Sequence, residues 1–135
     1  MNSLLRSHQL KKGDRILRLS TAYGMVIHTL NWLVSTIGIE IIVLDITYPV
    51  KDEVDIIQEV TKAYVKSQEE NNPIKLAIFS HISSMPAMIE PVKELTRIAH
   101  SFSSMVMIDG AHAPGVIDID IEDIQPDYYL GSSII

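Results

Sequence analysis

The sequence predicts an α/β fold of three layers, with helices on both sides of an open, mostly parallel sheet. Segments rich in Ile, Val and Leu alternate with segments of ten or more residues that are apolar at helical intervals. The strand-like segments are apolar on both faces, as strands sandwiched between two helical layers must be. A third observation lies in the turns at the strand ends: "STAYG", "HISSMP", "DGAHAPG" and "GSS" are all small or polar. In open α/β sheets ligands gather outside the carboxyl ends of the strands, so these turns are where chemistry is expected.

In chain order, "NSLLRSHQL" spaces Leu4, Leu5 and Leu10 for one helical face, and "KKGD" supplies the glycine expected just past a helix. "RILRL" reads as a short strand. "YGMVIHTLNWLVSTIG" is helical up to Gly38, and the β-branched "IEIIVLDI" after it reads as a buried strand. "VKDEVDIIQEVTKAYVKSQEENN" is the longest helix, with Asp52 and Glu53 at the end where the helix dipole favours anions and Val54, Ile57, Val60 and Val65 as its apolar stripe. "PIKLAIFSHIS" is the next strand. In "EPVKELTRIAHSF" a proline opens a helix whose apolar positions are Val92, Leu95 and Ile98, and "MVMID" and "DYYLG" are the last two strands.

A chain of 135 residues has the length of one globular unit or a piece of one, and without repeats or Gly/Ser linkers no internal boundary is indicated. Hydrophobic residues at 47% and charged residues at 21% are ordinary globular usage. The net charge of −6, with its lysines and arginines scattered, excludes a basic stripe for a phosphate backbone, so nucleic acid is not an expected partner. There is no cysteine for a disulfide, thiolate ligand or thiol nucleophile, and no apolar run of signal-peptide or membrane-spanning length. A cytoplasmic location is the expectation.

Asp109 follows four apolar residues and so stands at a strand end, where a partly desolvated carboxylate needs a cationic or donor partner; a turn or cap aspartate is the competing reading. Gly110 and Ala111 permit close approach of a flat ligand or of another backbone. His112 is open to service as base, donor or ligand, or to a purely structural role. Asp109 and His112 lack a third ligand at a supporting spacing, so no metal site is expected. His81, Ser83 and Ser84 close another strand, where hydroxyls either donate to a phosphate or phenolic oxygen or satisfy their own turn. Tyr23 sits beside Gly24 at a strand-to-helix junction, placed to stack on a planar ring or to fill the rim of the core. The glycine-rich nucleotide-binding patterns and the serine-hydrolase elbow are missing.

"HISSMPAMIEPVKELTRIAH" followed by "VMIDGAHAPGVIDIDIEDIQPDYYLG", with "LKKGDRILRLSTAYGMVIHTL" upstream, resembles the class V aminotransferase family of pyridoxal-phosphate enzymes of fold type I. It is most similar to the isopenicillin N epimerase-like branch, with cysteine desulfurases as more distant relatives. The resemblance implies a partial large domain of such an enzyme over 1–135, with pyridoxal 5'-phosphate as cofactor and an amino acid as substrate of the complete enzyme, which is a homodimer. It implies that Asp109 pairs with the protonated pyridine nitrogen, that His112 lies near the phenolic oxygen with Ser84 where many relatives have Asn, and that Tyr23 stacks on the ring.

The family's cofactor-anchoring lysine, which also moves the substrate's α-proton, would follow "DYYLG" by a few residues. Here that run reads "GSSII" and the slot falls on Ile135. The resemblance therefore implies a central segment without its N-terminal portion and C-terminal small domain, and inactive as it stands. A non-catalytic partner of a full-length paralogue is the alternative, and the substrate and the bond broken are left undetermined.

Overall fold

The computed structural model of the chain describes residues 10–22, 24–46, 53–84, 87–110 and 119–130. Of the helix expected at the N-terminus only Leu10, which is buried, falls within them. Among the described residues the sheet has five strands, all parallel, in the order β2 (Glu40–Leu44), β1 (Arg15–Leu19), β3 (Ile74–Ser80), β6 (Met105–Asp109) and β7 (Tyr128–Leu130). A two-stranded antiparallel hairpin of β4 (Ile82–Ser84) and β5 (Ala87–Ile89) stands apart from it.

Side chains alternate across a strand, and here the alternation divides the core in two. Leu17, Leu19, Ala77, Phe79, Val106 and Ile108 pack with Ile56 and Val60 of α2 (Glu53–Glu69), Leu95 and Ala99 of α3 (Val92–Ser101) and Ile124 of α4 (Ile121–Ile124). Ile16, Leu76, Ile78 and Met107 pack on the other side with Val26, Leu30 and Leu33 of α1 (Gly24–Thr36). This is the three-layer α/β arrangement expected from the sequence. Gly38 ends α1 as expected, with φ +87° and its N–H shared between the carbonyls of Leu33 and Val34.

The structure corrects three local expectations. β2 is not buried on both faces: it is the outer strand on its side of the described sheet, and Val43 is 43% exposed, because it pairs only with β1. The stripe of α2 is Ile56, Val60, Ala63, Tyr64 and Ser67, spaced at three and four residues. Val54 (46% exposed) and Val65 (41%) lie off that face, and of the expected stripe Val60 is buried and Ile57 is partly buried against the core. "PIKLAIFSHIS" is broken at His81 into β3 and β4, and α4, capped by the Asp120 side chain on the Asp123 N–H, has no counterpart among the expected elements.

The order of the strands fixes where a ligand can sit. From β1 the chain moves to β2 on one side and then returns across β1 to β3 on the other. The direction of winding reverses between β1 and β3, which opens a crevice at their carboxyl ends. The register Ser80↔Asp109 and Asp109↔Leu130 brings the ends of β3, β6 and β7 level with one another beside it.

The corrected stripe is testable by denaturant unfolding. Ile56→Ala removes a fully buried side chain and is expected to cost about 2–4 kcal/mol, whereas Val65→Ala, on the exposed face, should change stability by less than about 0.5 kcal/mol.

Candidate functional site

Polar side chains collect at the carboxyl edge of the sheet because the inner strands have no room for them. Asp109, the last residue of β6, is half-buried, and the alternation that faces Met107 toward α1 carries Asp109 to the same side. Its carbonyl accepts the His81 N–H at 3.0 Å, which extends the β3–β6 pairing by one residue.

His81 and Tyr129 form the second feature. The Tyr129 hydroxyl and His81 Nδ1 share a hydrogen bond of 2.8 Å, and the rings meet edge to face with centroids 5.8 Å apart. Burial pushes the His81 imidazole below its ordinary value. Burial, and then the negative charge of Asp109, push the Tyr129 phenol above its own. At neutral pH the pair is therefore uncharged.

Tyr129 also accounts for Gly110. A Cβ at Gly110 would stand 2.3 Å from atoms of the Tyr129 ring. The sequence offers this glycine for close approach of a flat ligand or of another backbone; the close neighbour in the structure is instead a side chain, the ring of Tyr129.

The third feature is Glu90, between β5 and α3. It is 2% exposed, yet it carries a carboxyl. Thr21 Oγ1 donates to its Oε1 at 2.8 Å, the Ser80 N–H donates to the same carboxyl, and Oε2 has no hydrogen-bond partner among the described residues. The Glu90 N–H donates to the His81 carbonyl at 2.9 Å. Burial pushes the acid up to about 7, against the two hydrogen bonds, which favour the charged form.

Of the residues singled out in the sequence, Asp109 and His81 stand together at this edge. Ser84 is the last residue of β4, paired with Ala87 in the hairpin that starts directly after His81. Tyr23, His112 and the lysine slot at Ile135 lie outside the described residues. Sequence reasoning missed Thr21, Glu90 and Tyr129. The available sign for Glu90 is an acid set between Ile89 and Pro91 in an apolar run, which a helix start explains equally well. Thr21 and Tyr129 give no sign, since their partners are 69 and 48 residues away along the chain.

A family model described as "Aminotransferase class-V" matches residues 1–133. The chain belongs to the class-V aminotransferase family. It is 30% identical over 123 residues to an L-cysteine desulfhydrase of Arabidopsis thaliana, a match covering 90% of this chain and 27% of the relative. It is 41% identical over 58 residues to the isopenicillin N epimerase of Streptomyces clavuligerus, covering 43% of this chain and 15% of that protein. Among solved structures, a cystine C–S lyase in complex with its reaction product cysteine persulfide superposes with a TM-score of 0.81 at 18% identity, over 97% of this chain and 34% of the other. The chain thus spans about a quarter of the length of the curated relatives it matches over most of its own length.

Pyridoxal phosphate is the cofactor expected of this family. The residues at the carboxyl edge fit it in their donor chemistry: a strand-end carboxylate on the face shared with Met107 and Ile78 suits a protonated ring nitrogen, since a low local dielectric strengthens the ion pair. A covalent anchor does not fit the described lysines. Lys11 and Lys12 precede β1, Lys62 and Lys66 lie on α2, Lys75 stands near the start of β3, away from the carboxyl edge, and Lys93 pairs with Asp123 on α4 at 2.9 Å.

The raised Glu90 carboxyl has a definite sign in folding. It binds its proton more tightly folded than unfolded, so its contribution is complete below about pH 4.5 and is lost as pH rises to about 7. Glu90→Gln keeps an acceptor for Thr21 and Ser80 and cannot ionise. By thermal or denaturant unfolding it should be more stable than wild type by about 3 kcal/mol at pH 8, the difference shrinking toward zero below pH 4.5.

Proposed function

We propose that this chain is part of the cofactor-binding large domain of a pyridoxal-phosphate enzyme that breaks a carbon–sulfur bond of a cysteine-like amino acid. The single observation behind the reading is Asp109, a half-buried carboxylate that ends β6 beside the crevice between β1 and β3. The sulfur-bearing substrate is supported by relatives named for cysteine desulfhydrase activity.

When bound, the cofactor supplies an electron sink for charge that develops at the substrate's α-carbon. The residues of this chain hold and orient it. Asp109 fixes the ring nitrogen and keeps a proton on it, because a half-buried carboxylate favours the charged partner. Tyr23 covers one face of the ring, and His112 and Ser84 direct donors toward the phenolic oxygen. His81 and Tyr129, uncharged and bonded to one another, put no second charge beside Asp109.

With Ile135 in the lysine slot, this chain holds the cofactor noncovalently and does not turn over substrate by itself.

Equilibrium dialysis with pyridoxal 5'-phosphate tests the reading. Asp109→Ala should weaken binding by about tenfold or more, the worth of one charge-assisted contact. Borohydride treatment of the wild-type complex should label no lysine. Equal affinity of the variant and wild type, or stoichiometric labelling of one lysine, would overturn the reading.

A further inference from the structure

Glu90 is the one described carboxyl that is both fully buried and left with an oxygen lacking a hydrogen-bond partner among the described residues. An apolar side chain would fill the same space without the cost of taking a carboxyl out of water. What the carboxyl adds is a tie between two segments far apart in sequence. Thr21 belongs to the loop that leaves β1 and leads to Tyr23; Ser80 ends β3, and His81 begins the turn into the β4–β5 hairpin that carries Ser84. These two segments are the two sides of the crevice where the winding of the sheet reverses.

The tie continues beyond Glu90. Its N–H bonds the His81 carbonyl at 2.9 Å, the His81 N–H bonds the Asp109 carbonyl at 3.0 Å, and the Gly110 N–H bonds the Leu130 carbonyl at 2.7 Å. One hydrogen-bonded line thus runs across the carboxyl edge from the loop after β1 to the end of β7, and Glu90 joins the β1 loop to the rest of it.

We propose that Glu90 is a positioning residue of the cofactor site: its buried carboxyl locks the loop after β1 onto the turn after β3 and thereby fixes the edge of the crevice on which Asp109 holds the ring. This rests on the pyridoxal-phosphate reading above. Glu90 acts through Thr21, Ser80 and His81 and touches the cofactor at no point. A neutral acceptor of the same shape serves as well as the acid, and an apolar residue does not.

Pyridoxal 5'-phosphate is the probe, with two readouts on the purified protein: affinity by equilibrium dialysis and the induced circular dichroism of the bound chromophore, which reports how the ring is held. Glu90→Leu is expected to weaken binding about five- to tenfold and to diminish the induced signal, and Glu90→Gln to stay within about twofold of wild type with the signal intact. Thr21→Val removes only the hydroxyl and should reproduce the Glu90→Leu phenotype, which keeps the proposal testable if Glu90→Leu does not fold. Additive losses in the Thr21→Val, Glu90→Leu double variant, in place of a shared one, would overturn the proposal. So would wild-type affinity and an unchanged signal in Thr21→Val, or failure of Glu90→Gln to bind normally. If those variants bind normally while Asp109→Ala loses affinity, the positioning role falls and the cofactor reading stands; if Asp109→Ala also binds normally, both fall.

Discussion

The inner strands of this sheet have no wet face, and most of the molecule's distinctive features stem from that. From Leu76 to Phe79 each side chain of β3 is buried, alternately against α1 and against α2 and α3. β6 repeats the pattern from Val106 to Ile108. A polar side chain inside such a strand would lose its hydration with no partner to replace it. Functional groups are therefore displaced to the strand ends, and parallel pairing in register puts those ends side by side. Arg18 on β1 is an exception that shows the cost: burial pulls its guanidinium down, against the charge of Asp45, and Nη1 settles on the neighbouring Leu19 carbonyl.

At that edge charge is concentrated on one group. His81 and Tyr129 are neutral partners, and burial pushes the Glu90 carboxyl up to about 7, so that it is only partly ionised at neutral pH. The negative charge felt within the cluster is that of Asp109, whose influence reaches the Tyr129 phenol. Because His81 and Tyr129 carry no charge and burial leaves Glu90 only partly ionised, the second carboxyl of the cluster competes less with Asp109 for a cation than a free carboxylate would.

The architecture was legible in the sequence to the extent that it is written locally. Strand composition, helical spacing and the stop at Gly38 depend on neighbours a few residues apart, and they lead to the correct three layers. The stripe of α2 was not legible, because valine at positions 54 and 65 looks like core, whereas the helix buries Tyr64 and Ser67, whose polar atoms find partners: the Tyr64 hydroxyl donates to Ser104 and Ser67 Oγ accepts from Arg15. Asp109 was visible because an acid directly after an apolar strand is conspicuous. Glu90 was not, because an acid before a Pro and a helix has an ordinary explanation. Only the folded chain brings Thr21 to it. The resemblance to the class V family could name the residues around a cofactor but gave no hint of the tie beneath them.

The fit of Tyr129 over Gly110 has a consequence for how this edge can change over time. The ring occupies the volume that any side chain at 110 would need, so the two positions form one steric unit although they come from different strands. A drift to alanine or serine at the first site is open only to lineages that have already given up the aromatic at the second, and with it the acceptor or donor that His81 now uses. In descendants of this sequence the glycine, the tyrosine and the histidine should be inherited together or lost together.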